Sequence, residues 1–134
     1  MSYIDSVFDL EGKVAIMIGG TSELCGHMAF GLARAGVQVA IAGRNEEKAE
    51  EKVRMIEEVG GNAYFVPTDL LRKGSLYALL DIVSETSGRI DIVVNGASVN
   101  SGKPFFDIEV EDFQDILDIN LTSCLLYTSD AADD

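Results

Sequence analysis

The sequence predicts a doubly wound α/β fold, a parallel sheet with helices on both faces, and three observations predict it. Four short apolar runs rich in Val and Ile, "KVAIMI" (13–18), "VQVAIA" (37–42), "AYFV" (63–66) and "IDIVV" (90–94), suit strands buried on both faces. Segments of helical period lie between them. Glycine follows each such segment, at Gly36, Gly60-Gly61 and Gly88, where a helix closes in a left-handed residue. Short connections between alternating strands and helices imply right-handed crossovers and a parallel sheet.

The first strand runs into "IGGTSELCG", Ile18 to Gly26, a tight glycine turn followed by a helix. A diphosphate needs backbone N–H groups aimed at its oxygens, a helix N-terminus behind them and no bulky Cβ in the way. Gly19 and Gly20 supply the turn, Thr21 and Ser22 supply hydroxyl and N–H groups, and the helix starts near Leu24. Many strand-to-helix turns carry two glycines without a ligand, so the loop alone leaves both readings open. Leu24, Met28, Leu32 and Ala35 are expected to face the core. After the second strand come Gly43, Arg44 and Asn45; Asn45 is placed to cap the second helix, with Glu46 and Glu47 at its positive dipole end. Ala49, Val53, Ile56 and Val59 form that helix's apolar side, and Leu76, Leu79, Leu80 and Val83 that of the third. Beyond the fourth strand lies the loop "NGASVNSGKPFFDIE" (95–109), expected to line a site because ligands of open α/β sheets sit past the carboxyl ends of the strands. Val110, Phe113, Ile116, Leu117 and Asn120 then fall along one side of a last helix.

The chain has 134 residues, 47% apolar and 25% charged, which suits one globular domain. No apolar run approaches the roughly 20 residues needed to span a bilayer, and "MSYIDSVFDLEGK" lacks the basic start and apolar stretch of a signal peptide. A cytoplasmic location is expected. Cys25 and Cys124 lie far apart without metal-ligand spacing, so neither a disulfide framework nor a metal site is expected. The net charge of −13 argues against partners with anionic surfaces, both nucleic acid backbones and membranes. The last residues, Cys124 to Asp134, resemble a translated sequencing-library adapter, so the native sequence is expected to occupy 1–123, with 124–134 a non-native tail. Leaving out Asp130, Asp133 and Asp134 changes the net charge from −13 to −10.

The motifs "LEGKVAIMIGGTSELCG", "AGRNEEK", "PTDL", "DIVVNGAS" and "DINL", in this order and spacing, resemble the short-chain dehydrogenases/reductases from about Leu10 to Ser123. Family members have one Rossmann-type domain about twice as long as this chain, so the resemblance implies the N-terminal part of such a dinucleotide-binding domain, truncated after about four strands and the following helix. The family's T-G-x-x-x-G-x-G loop falls on Ile18, Gly19, Glu23 and Cys25, keeping only the first glycine. The "LC" that follows Glu23 is similar to the loop of fructuronate (mannonate) reductases. Glu23 puts a carboxylate near the expected diphosphate and should weaken affinity unless its side chain turns outward.

The resemblance implies an NAD(P)(H) site formed by Gly19, Thr21, Ser22, Glu23, Leu24, Arg44, Asn45, Asp69, Leu70, Asn95, Gly96 and Ala97. Arg44, with Gly43 where a carboxylate would bind the 2′-hydroxyl of NAD, favours NADP(H), with NAD(H) as the second choice. Asp69 matches the acid that accepts from the adenine amino group, and Leu70 the residue covering the ring. "NGAS", Asn95 to Ser98, matches the family's N-N-A-G with Gly96 and Ser98 departing from it. Asn120 matches the catalytic-helix asparagine that holds a water in a proton relay. His27 is expected to be packed or solvated. The family's serine and Tyr-x-x-x-Lys are missing, since Tyr127 is followed four residues on by Ala131, so this chain should bind a nucleotide without catalysing. The parent is expected to be a homo-oligomeric oxidoreductase moving a hydride between nicotinamide and the carbonyl or alcohol carbon of a small molecule, such as a sugar, polyol or sugar acid. The alternative is a non-catalytic dinucleotide-sensing or scaffold domain of the same fold.

Overall fold

The computed structural model describes residues 2–126. Helix α1 (Tyr3–Phe8) leads to β1 (Val14–Ile18), α2 (Glu23–Arg34), β2 (Gln38–Gly43), α3 (Glu46–Glu58), β3 (Asn62–Pro67), α4 (Lys73–Ser87) and β4 (Ile92–Asn95). A 3₁₀ turn (Phe105–Asp107), α5 (Val110–Leu117) and a π-helical turn (Asp118–Thr122) follow. The four strands form one parallel sheet in the order β3-β2-β1-β4, with Ile18 in register with Ala42 on one side and Asn95 on the other. This is the expected doubly wound sheet, four strands followed by helices.

Alternation along the strands divides the core in two. Val14, Ile16, Ile18, Ala40, Ala42 and Val66 face α4, which presents Leu76, Leu79, Leu80 and Val83 as expected. Ala15, Met17, Val39, Ile41 and Ala63 face α2 and α3. β1 is buried at every position because it lies between two strands and two helical layers.

Helix α2 presents a different side from the expected one. Its buried residues are Cys25, Gly26, Ala29 and Ala33, while Leu24 is 73% exposed and Met28 43%. Small side chains let this helix approach the sheet closely, so its large apolar residues are displaced outward. Val59, expected on the inner side of α3, is 52% exposed because it is the helix's C-cap rather than part of its last turn. Helix α1 was not expected; Ser2 and Asp5 close it with a reciprocal capping box. Past the π-helical turn, residues 123–126 are again α-helical, with Cys124 and Leu126 packed against the α4 side of the core.

Candidate functional site

All four strands point their carboxyl ends at one crevice of about 430 Å³. Four loops wall it: Gly19–Ser22 after β1, Gly43 and Arg44 after β2, Thr68–Leu70 after β3, and Gly96–Val99 after β4, with Ile119 from the π-helical turn. β1 lies beside both β2 and β4, so the crevice opens where successive crossovers diverge to opposite sides of β1.

The β1 loop is closed by contact with the β4 loop. Gly19 has φ +76°, and a Cβ there would lie 2.8 Å from the Ala97 nitrogen and from the Gly96 carbonyl carbon. A side chain is therefore excluded by backbone conformation and by space alike. Gly96 N–H donates to Ile18 O at 2.9 Å, extending the β1–β4 pairing to the crevice rim. Opposite Gly96 sits Cys25, buried, whose sulfur occupies the volume that a Cβ on Gly96 would take.

Helix α2 starts at the crevice floor. Ser22 is its N-cap, its Oγ accepting from Cys25 N–H at 3.3 Å and its carbonyl from Gly26 N–H at 2.8 Å. Among the described residues, the first-turn N–H groups of Glu23 and Leu24 have no protein acceptor, which leaves them to an anion at the helix N-terminus. Thr21 packs its methyl group toward Gly43, where an added Cβ would come within 3.3 Å of it, so the pocket side of β2 is narrow at this point.

Glu23 does not line the crevice. Its Oε1 accepts from Lys52 Nζ at 3.1 Å, and Lys52, on α3, is only 6% exposed. The hydrogen bond and charge of Lys52 hold the Glu23 carboxyl below its ordinary range, with His27 and Lys48 adding smaller effects in the same direction. His27 is exposed, its Nδ1 donating to the Glu23 carbonyl at 2.7 Å.

Arg44 is exposed at the mouth and has no ion pair among the described residues. Asn45 faces away from the crevice and caps α3, its Oδ1 accepting from Lys48 N–H at 2.9 Å. Asp69 lines the crevice and also closes a local turn, its Oδ1 accepting from Leu71 N–H at 3.1 Å while its own N–H donates to Ser75 Oγ at 2.8 Å. Leu70 is half-buried beside it. Asn95 lies at the end of β4 outside the crevice lining and donates from Nδ2 to Cys124 Sγ at 2.8 Å.

Asn120 is outside the lining as well, yet it grips the loop that forms it. Its Oδ1 accepts from Val99 N–H and its Nδ2 donates to Val99 O, both at 3.0 Å. Both ends of the side-chain amide are thus committed to the loop. Nearby, Ser123 is buried with its Oγ within 2.5 Å of Leu70 O and 2.6 Å of Asp118 O, joining the π-helical turn to the β3 loop. Tyr127 and Ala131 lie outside the described residues.

The crevice therefore gathers Gly19, Thr21, Ser22, Leu24, Arg44, Asp69, Leu70, Gly96 and Ala97 from the expected set and leaves Glu23, Asn45, Asn95 and Asn120 out of its lining. Cys25, Ala42, Thr68, Val99 and Ile119 line it without having been assigned a ligand role from sequence. Ala42, Val99 and Ile119 carry no chemistry a motif would single out; Cys25, in the glycine loop, and Thr68, inside "PTDL", lay within motifs. Among the described residues no group of His, Cys, Asp and Glu is arranged to hold a metal, and no helix is long and apolar enough to cross a membrane.

Comparison with known proteins matches this arrangement. The family described as short chain dehydrogenase matches residues 13–134. An uncharacterized oxidoreductase, UxuB, of Bacillus subtilis (strain 168) is 33% identical, over 88% of this chain and 48% of its own. A 3beta-hydroxysteroid dehydrogenase of Mediterraneibacter gnavus is 34% identical, over 84% of this chain and 41% of its own. Among solved structures, a short-chain type dehydrogenase/reductase from Mycobacterium marinum superposes with a TM-score of 0.90 at 34% identity, covering 99% of this chain and 53% of that one. The chain spans about half the length of the relatives it matches. These matches overturn the adapter reading of residues 124–134: the family match runs to residue 134, the Mycobacterium marinum structure covers 99% of the chain, and the helical residues Cys124 and Leu126 belong to the core packing. By the extent of the family match, the chain belongs to the short chain dehydrogenase family.

Proposed function

We propose that this chain is the dinucleotide-binding part of a nicotinamide-dependent oxidoreductase, and that it takes NADP(H) in preference to NAD(H). The observation that carries the reading is the cradle at the β1 turn. Gly19 closes against Gly96 and Ala97 with no room for a side chain, and the N–H groups of Glu23 and Leu24, at the start of α2 next to the crevice residue Ser22, have no acceptor among the described residues. In this reading Thr21, Ser22 and Leu24 border the diphosphate, Asp69 accepts from the adenine amino group with its second oxygen, and Leu70 covers the ring. Gly96 and Ala97 border the ribose on the nicotinamide side. Asn45 and Asn95 support the site from outside its lining by fixing α3 and the end of β4.

The nicotinamide, when bound, supplies the hydride exchanged with a carbonyl or alcohol carbon. This chain's residues bind and orient it. Asn120 acts by position, holding the Val99 loop at the crevice rim. The serine and Tyr-x-x-x-Lys of the family are not in this sequence, so the chain by itself binds the cofactor without turnover. A sugar, polyol or sugar acid is the proposed substrate class of the whole protein, supported by the "LC" loop, and the whole protein is proposed to be a homo-oligomer.

The 2′-phosphate preference rests on Arg44 at the mouth and on Gly43, where Thr21 leaves little room for the carboxylate that would recognise a free ribose. Titration of the chain with NADPH and NADH, followed by quenching or transfer of nicotinamide fluorescence, tests both levels. NADPH is expected to bind the more tightly, and Arg44→Ala to weaken NADPH about tenfold while moving NADH less than about twofold. Equal affinities that Arg44→Ala leaves equal overturn the preference; absence of binding by either nucleotide overturns the whole reading.

A further inference from the structure

We propose that Lys52 is a positioning residue for cofactor binding, a latch that keeps the Glu23 carboxylate away from the diphosphate and cancels its charge. The inference rests on the dinucleotide reading above and adds to it a residue outside the crevice. Glu23 sits between Ser22 and Leu24, both crevice residues, at the point where the family loop carries glycine. A carboxylate there can turn toward the anion-binding mouth of the helix or outward beside Lys52, where the Glu23 side chain is 83% exposed. Lys52 decides between them. It reaches across from α3, its side chain buried, and places Nζ 3.1 Å from Glu23 Oε1.

A second, separate feature serves the same contact. The lysine stem crosses α2 over Gly26, where an added Cβ would lie 2.9 Å from Lys52 Cε and 3.0 Å from Cδ. Gly26 is helical without a left-handed φ, so the backbone does not demand glycine; the lysine stem, a flexible side chain, fills the space that a Cβ would take. A buried lysine is costly unless paired, and among the described residues its ion-pair partner is Glu23. The pair thus stabilises both ends. Glu23 gives the buried ammonium its counter-charge, and Lys52 gives the carboxylate a fixed place away from the phosphates.

The test is NADPH affinity in Lys52→Met, in Lys52→Met with Glu23→Gln, and in the unsubstituted chain, with far-UV circular dichroism confirming the fold of each. Lys52→Met is expected to weaken NADPH about tenfold, because the released carboxylate swings toward the diphosphate. The double variant, which lacks both charges, is expected to return to within about twofold of the unsubstituted chain. No change in Lys52→Met overturns the latch. A double variant as weak as the single one also overturns it, since Lys52 would then act through packing or through its own attraction for phosphate. Should Lys52→Met fail to fold, Gly26→Ala displaces the same lysine tip, and the same loss with rescue by Glu23→Gln is expected; no loss, or loss without rescue, overturns the latch. Failure of the unsubstituted chain to bind NADPH removes the dinucleotide reading itself, and the latch with it.

Discussion

Cys25 and Gly96 each depart from the family's motifs, and they depart against each other. The loop motif would place glycine at 25 and the β4 motif asparagine at 96; here the thiol fills the space that the missing side chain vacates. The two positions should behave as one unit. Gly96→Ala is expected to destabilise by about 1–3 kcal/mol through overpacking, and Cys25→Gly in the same chain to recover more than half of that loss. Urea unfolding of the four members of the cycle measures the coupling, and additive effects would show that the fit is accidental. Most crevice residues were legible at this scale because glycine, Thr, Ser, Arg and Asp carry recognisable chemistry at the ends of strands. What sequence could not show was direction. Glu23 reads as a crevice residue until the reach of Lys52, 29 positions away, is known. The hold of the Asn120 amide on Val99, at both ends, could not be read from its place in "DINL".

Elements were legible in proportion to how much of them is buried. The four strands stand close to their expected limits, since continuous Val/Ile runs have few other uses. Helix α4, with four large apolar residues inward, agrees with its periodicity, whereas α2, which packs through Cys, Gly and Ala, does not. The π-helical turn had no signature at all: widening one turn by a residue changes hydrogen bonding without altering composition. That turn sets the height of Asn120 against the β4 loop. Asn120→Ala is expected to cost about 1–2 kcal/mol for the two bonds it loses and to speed hydrogen exchange at the Val99 amide, which then has no acceptor. At the opposite end of β4, Asp91 ties that strand to β1, accepting from Val14 N–H at 2.9 Å and from Arg89 Nη2 at 2.5 Å. The Arg89 hydrogen bond, aided by Val14 N–H and the nearby cations, holds the Asp91 carboxyl below its ordinary value of 3.8. The unfolded chain therefore binds a proton more readily than the folded one, so this contribution is present above the ordinary value and is lost as pH falls through the depressed one. Asp91→Asn is expected to flatten the decline of stability below about pH 4, measured as urea midpoints down an acid series; an unchanged slope would remove Asp91 from that decline.

At the scale of the molecule, the sheet has β3 at one edge and β4 at the other. No strand among the described residues covers the outer side of β4, and Phe105, Phe106 and Val110, beyond it in sequence, are 81%, 95% and 79% exposed. An open strand edge together with exposed aromatic surface favours pairing with other chains. The chain in isolation is expected to self-associate with rising concentration, read as an increase in mass by light scattering through a dilution series; a constant monomer mass with cooperative unfolding would contradict this. The fold class was legible at this scale because alternation of strand and helix leaves few topologies open. The packing of residues 124–126 was not, since Cys124, Leu125 and Leu126 are too short a run to read apart from the acidic, small-residue stretch after them, with which they resemble a translated adapter. The strand order has one more consequence, and it concerns time. β1 finds β2 soon after synthesis, but its other neighbour arrives late, with Asp91 following its partner Val14 by 77 residues. At ~5–20 residues per second the ribosome takes about 4–15 s to cover that interval. Until then Gly19 has nothing to close against, so the nascent chain can gain no stability from a nucleotide, and one flank of its most apolar strand must wait for shelter.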